Sequence, residues 1–175
     1  MTMAHRALTF AACIALAACG GGQQGAAPTT VVTPSGIPPV TGERRAAAGV
    51  EYIDVVEGRG DAIRSEQCAY VHYTGWLENG RQFDASRDSL VNPAQAPPLA
   101  VPLGAKSVIA GWDAGIPGMR VGGIRRLFVP FRLGYGEAGA PPNIPRRANL
   151  IFDVELVAIG HATRAAMKST CPPWR

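Results

Sequence analysis

Charge is scarce in this chain. Asp, Glu, Lys and Arg make up only 17% of its 175 residues, aromatic side chains 7%, and there are three His and four Cys. The net charge is +4, and its basic residues are scattered rather than blocked, so the sequence offers no electrostatic footprint for nucleic acid. Four Cys do not make a disulfide scaffold in a chain this long. GxSxG, P-loop and HExxH patterns are absent, and the region that reads as folded holds a single His, His72. A zinc site or histidine-based catalysis therefore has almost nothing to work with, and no cofactor or metal is expected. What is plentiful is Gly (21) and Pro (15), which argues for many turns and against long helices. A hydrophobic fraction of 47% suffices for the core of one domain.

The first 19 residues, MTMAHRALTFAACIALAAC, carry one fixed positive charge at Arg6, then an apolar run from Ala7 to Ala17. That run is too short to cross a bilayer, which takes about 20 residues, and it suits the middle of a secretory signal. The ending LAAC resembles the lipobox of bacterial lipoproteins. On that resemblance residues 1–18 are removed and Cys19 becomes the lipidated first residue, an anchor on the membrane rather than a span. Gly20 in the next position favours the periplasmic face of the outer membrane. An ordinary cleaved signal with an incidental Cys is the alternative. Residues 19–48, rich in Gly, Pro and Thr and without an aromatic, read as a flexible linker.

Order is expected from 49 to 160. Val50 to Val56 is β-branched and apolar with charges interleaved. Gln67 to Leu77 alternates, placing Ala69, Val71 and Tyr73 on one face and Cys68, Tyr70 and His72 on the polar one. Asn79-Gly80 is a hairpin signal joining that strand to Arg81–Asp84. Ile124 to Phe131 and Leu150 to Ile159 read as further strands, the last with Leu150, Phe152, Val154 and Leu156 on one face. Only Lys106 to Ala114 looks helical. The expected fold is α+β, a curved antiparallel sheet wrapped around one short helix. Asp84 and Asp88 flank Arg87 and read as charged turn residues, and the pairs Arg125-Arg126 and Arg146-Arg147 as solvated charges. Against that background Phe83, Trp112, Tyr135 and Ile144 stand beside Gly, Pro or Asp at loops and element ends, a pattern that a concave apolar pocket explains.

Six blocks now come into register: VHYTG at 71–75, FDASRD at 83–88, VIAGWDAG at 108–115, VGGIRRLFVP at 121–130, LGYGEAG at 133–139 and IPRRANLIFDVEL at 144–156. In that order they resemble the FKBP-type peptidyl-prolyl cis-trans isomerases over residues 49–160. The resemblance implies a pocket floored by Trp112 and walled by Tyr73, Phe83 and Phe152, with Val108 and Ile109 at the helix edge. It further implies that the Ile109 N–H and the Tyr135 hydroxyl donate to substrate carbonyls, that Asp84 is the lone acid near the proline, and that Ile144 belongs to a flap over the mouth. Proline-containing polypeptides are the implied substrates and macrolides the implied inhibitors. Leu99 occupies a substrate-binding position where many relatives carry Phe, and Val101 is the next inward position. The stretch between Asp88 and Leu99 is longer than in the smallest members, and Ala140 and Asn143 depart from the usual flap. An isomerase-inactive chaperone or protein-binding module is the alternative function, and retention of the pocket residues argues for the enzyme. The tail, 161–175, contains Cys171. If it folds back, Cys171 pairs with Cys68; otherwise the two thiols are unconnected.

Overall fold

The computed structural model describes residues 29–31, 33–87, 96–160 and 171–174. The strands are β1 (Thr29–Val31), β2 (Val40–Gly42), β3 (Arg44–Ala47), β4 (Val50–Val56), β5 (Cys68–Leu77), β6 (Gln82–Ala85), β7 (Leu99–Pro102), β8 (Ile124–Val129) and β9 (Leu150–Gly160). The α-helix, α1, is Ala110–Gly115, and a 3-10 turn covers Phe131–Leu133. The main sheet is antiparallel, in the order β3-β4-β8-β9-β5-β6, with β7 also on β5; β1 and β2 form a separate pair.

Alternation builds the sheet's two faces. Leu150, Phe152, Val154 and Leu156 of β9 are buried against Val71, Leu127, Val129 and the helix residues Trp112 and Ile116, and this is the core. The helix lies close on the sheet because its inner positions are glycine. A Cβ at Gly111 would stand 2.4 Å from Val129 Cγ1, and one at Gly115 2.7 Å from Leu127 Cδ2. The helix is shorter than the sequence suggested and starts later. Ile109 is extended (φ −59°, ψ 145°), and residues 106–109 form the turn that delivers the chain to α1.

Three sequence expectations are corrected. The linker reading of 19–48 fails where the chain is described: Arg44–Ala47 joins the main sheet through β4, and the segment before it lies on the sheet's outer face. Ile37 is buried there with Trp76 and Ile151, and Pro38 O accepts from Arg126 Nη1 at 2.6 Å. Ile37 and Val40, both buried, together with strand pairing and the Arg126 hydrogen bond, order a stretch whose composition looked unstructured. Arg125 and Arg126 are not solvated either. Arg125, on the inner face, binds Asp54 (2.7 Å) and donates to Gly115 O (2.8 Å) at the end of α1, with its guanidinium 4.0 Å from the Tyr52 ring centre. Arg126, fully buried on the other face, makes a bidentate pair with Asp153 at 2.6 and 2.7 Å. Finally, Cys68, Tyr70 and His72 are buried, because other chain covers the face on which they lie.

That cover includes the tail. Cys171 is disulfide-bonded to Cys68 (Cα–Cα 5.6 Å), Tyr70 donates its hydroxyl to Pro172 O, and the Tyr70 and Trp174 rings lie 5.3 Å apart. Cys19, Asp88 and the signal segment lie outside the described residues.

Candidate active site

Three strands and the helix converge on one aromatic box. Tyr73 stands on the inner face of β5, Phe83 comes from the short β6, Phe152 from β9, and Trp112 from α1 beneath them. Tyr73 meets Trp112 edge-on at 5.0 Å, Trp112 meets Phe152 at 5.4 Å, and Phe152 meets Phe83 at 5.6 Å, all three pairs close to perpendicular. Offset edge-to-face packing of this kind fixes each ring by its neighbour. Trp112 and Phe152 are buried, whereas Tyr73, Phe83, Val108 and Ile109 are only partly so, which leaves the box open on one side.

The box exists because β5 has no side chain at Gly75. A Cβ there would lie 2.8 Å from Phe152 Cε1 and 2.8 Å from Phe83 Cζ. Glycine inside a strand signals such a close approach, and this was the sequence cue to a residue that pocket reasoning passed over. Ser86 is a second omission. Its hydroxyl accepts from the Tyr73 N–H (3.0 Å) and bonds His72 Nδ1 (3.0 Å), holding the chain after β6 against β5.

Polar groups are few. Tyr73 donates its hydroxyl to Asp84 Oδ2 at 2.7 Å. Burial, reinforced by that hydrogen bond and the Asp84 charge, pushes the Tyr73 phenol well above its ordinary range. Tyr135 is raised too, first by burial and then by the Asp84 charge, which puts its phenol within the field of that carboxylate. Both phenols therefore remain donors. Tyr135 is 41% exposed at the rim, and among the described residues its hydroxyl bonds to no other group. The Ile109 N–H likewise donates to nothing among the described residues, while its carbonyl accepts from Trp112 N–H at 3.0 Å. Trp112 Nε1 is buried and, among the described residues, has no hydrogen-bond partner. Ile144, buried, belongs to a flap in which Ala140 and Ile144 exchange two backbone hydrogen bonds of 2.9 Å. Among the described residues no group of three His, Cys, Asp or Glu is placed to hold a metal ion.

Residues 60–157 match the family model of the FKBP-type peptidyl-prolyl cis-trans isomerases, more than half of the chain. The chain belongs to that family. Among its relatives is an FK506-binding protein of Neisseria meningitidis serogroup A, 47% identical over 107 residues that make up 61% of this chain and 92% of that protein. FK506-binding protein 4 of Dictyostelium discoideum is 45% identical over 63% of this chain, which spans only 28% of that longer protein. The crystal structure of FkpA from Escherichia coli superposes with a TM-score of 0.56 at 33% identity, covering 66% of this chain and 51% of that one.

Within this FKBP domain the structure brings Tyr73, Phe83, Trp112 and Phe152 into direct ring contact and packs Val108, Ile109 and Ile144 against the same cluster, with Asp84 on Tyr73. The two proposed pocket residues of β7 differ in exposure. Val101 is fully buried in the core opposite Ala69, where a substrate does not reach. Leu99, on the same strand opposite Val71, is 41% exposed. Leu99 and Val101 share one face of β7, and the split follows the strand's length: Leu99 and Ala100 are exposed, Val101 and Pro102 buried.

Proposed function

We propose that this protein accelerates cis-trans isomerisation of X-Pro bonds in polypeptides of the bacterial cell envelope, working from a lipid anchor at Cys19. The observation that supports the chemistry is a box of four aromatic rings, open on one side, with few polar groups: the Tyr73 hydroxyl paired to Asp84, Trp112 Nε1 beneath, and the Tyr135 hydroxyl and Ile109 N–H at its edge. Rotation about an X-Pro bond must break amide resonance against a barrier of about 18–20 kcal/mol, and no covalent bond to the enzyme is needed. The planar amide is the more polar form, so water stabilises it more than the twisted one. A prolyl ring seated on Trp112 between Tyr73, Phe83 and Phe152 leaves that water behind, and the two free donors hold the flanking carbonyls in the rotated geometry. Lowering the barrier by about 5–8 kcal/mol corresponds to roughly 10⁴- to 10⁶-fold acceleration. Asp84 keeps the Tyr73 hydroxyl occupied on the rim, so that this phenol does not compete for the substrate.

Trp112→Leu and Asp84→Val test the site. Each lowers kcat/KM on a short proline peptide while the circular dichroism spectrum is retained. Unchanged turnover in both variants, with normal spectra, sinks the assignment. The same protein beside an unfolded client without proline separates an isomerase from a chaperone. Macrolides of the FK506 class are proposed ligands of the same box, with affinity moderated by Ala140 and Asn143 in the flap and by Leu99 where many relatives carry Phe. The envelope location rests on LAAC and the apolar run before it. Incorporation of labelled fatty acid, abolished in Cys19→Ser, tests the anchor.

A further inference from the structure

The flap that carries Ile144 is held from outside the site. Arg81, which follows the Asn79-Gly80 turn, donates its Nη2 to Asn143 O in the flap. The backbone of Arg81 is itself fixed, its N–H donating to Asn79 Oδ1 at 3.0 Å and its carbonyl accepting from Leu77 N–H at 2.9 Å. On the far side of the same turn the N-terminal segment touches it backbone to backbone. A Cβ on Gly80 would fall 2.0 Å from Ser35 O, and one on Gly36 2.6 Å from Gly80 O. Neither turn has room for any side chain at these two positions. The segment is fastened in turn by Ile37, buried against Trp76 and Ile151, by Thr33 Oγ1 donating to Ile37 O at 2.8 Å, and by Arg126 on Pro38 O.

A continuous line of contacts thus runs from the N-terminal segment through the hairpin turn to the flap. We propose that Arg81 and the segment Thr33–Gly42 form a brace that positions the flap over the aromatic box, with Arg81 as a positioning residue for the reaction. The segment lies outside the span, 60–157, that matches the family model, whereas Arg81 lies within it. This inference rests on the reading of the box as a prolyl-isomerase site. A flap held in place before substrate arrives has less ordering left to do on binding, so the brace acts on substrate affinity more than on the rotation step.

The test uses the full chain. Backbone hydrogen exchange is measured at Ala140 and Ile144, whose N–H groups close the flap, and kcat and KM are measured on a proline peptide. Arg81→Ala speeds exchange at both amides by about tenfold or more, while Val71 and Val154 in the central strands stay within about twofold. KM rises roughly three- to tenfold with kcat within about twofold, and Arg81→Lys, which keeps a cationic donor on a long stem, restores most of the loss. Ile37→Ser, which unfastens the segment, reproduces both effects. Gly36→Ala, which pushes on Gly80 without touching the core, does the same if Ile37→Ser fails to fold. Unchanged exchange at Ala140 and Ile144 in Arg81→Ala overturns the brace. A loss of thermal stability in Ile37→Ser and Gly36→Ala with no change at those amides removes the segment from it. If the unaltered protein turns over no proline peptide, the isomerase reading fails, and the exchange data still decide whether the brace exists.

Discussion

Replacing Gly75 by alanine adds one methyl group to the most crowded point of the site. The new Cβ lies 2.8 Å from both Phe152 Cε1 and Phe83 Cζ, with Phe152 Cδ1 at 3.1 Å. Carbon atoms rest about 3.5–4.0 Å apart, so each ring must retreat by roughly 0.7 Å. Neither moves alone, because the two are locked edge to face at 5.6 Å and Phe152 is locked again onto Trp112. Gly75 pairs with Asp84 on one side and Phe152 on the other, so the strand has neighbours that resist its own displacement. Overpacking of this kind costs about 1–3 kcal/mol, a fall in Tm of roughly 3–10 °C for a domain of this size. Because the rings that yield are walls of the box, kcat/KM for a proline peptide falls by about tenfold or more, equivalent to roughly 1.4 kcal/mol of transition-state stabilisation. Calorimetry and a protease-coupled assay read the two quantities separately. Adding Phe83→Leu, which removes the ring atom in the clash, recovers stability beyond additivity by more than about 0.5 kcal/mol without recovering activity. A Gly75→Ala protein with Tm within about 1 °C of the original and kcat/KM within about twofold refutes the tight seating of these rings.

Reduction of Cys68–Cys171, or Cys171→Ser, releases a cross-link between residues 103 apart; chain-entropy reasoning puts its stabilisation at up to about 4–5 kcal/mol, so Tm should drop by several degrees. A thermal scan with and without reductant that shows no difference would falsify a stabilising tail. Asp153→Asn leaves the fully buried Arg126 guanidinium uncompensated and should cost about 3 kcal/mol in urea unfolding, whereas Glu51→Gln, which breaks an exposed pair with Arg44, should cost under about 1 kcal/mol. Burial, helped by the Arg87 charge and opposed by Glu155, lowers the pKa of His72 in the folded protein. The unfolded chain therefore takes up the proton first, and stability falls as the pH drops below about 6.5, the unfolded value. In His72→Gln that fall is shallower, and equal slopes for the two proteins would contradict the assigned environment.

The local pattern of the chain settled a good deal. Alternation in Gln67–Leu77 and Leu150–Ile159 fixed which side chains face the core, because a strand turns every second residue to the same side whatever lies around it. Apolar residues at loops and element ends marked Phe83, Trp112, Tyr135 and Ile144 as pocket residues, since a soluble chain exposes such groups together only for a reason. Local pattern fails where a residue's surroundings come from distant chain. Arg125 and Arg126 read as solvated, yet Asp54, Asp153, Gly115 O and Pro38 O surround them, and all are brought in by the sheet and the segment over it. Val101 and Leu99 are separated in the same way, by where β7 enters the sheet.

The N-terminal segment makes the division plainest. Its composition predicts that it cannot bury enough apolar surface to offset its ordering, and taken alone that holds. Only the assembled sheet presents Trp76, Ile151 and the Arg126 guanidinium side by side on the outer face, giving Ile37 and Pro38 O something to bind. Sequence by itself determined the strand faces through periodicity, and the resemblance of its six motifs to the FKBP family implied the residues of the box, because both are properties of neighbours along the chain. Tertiary structure decided which charges are buried, how near Gly75 lets two rings approach and what lies over the sheet, because burial belongs to contacts between residues far apart in the chain.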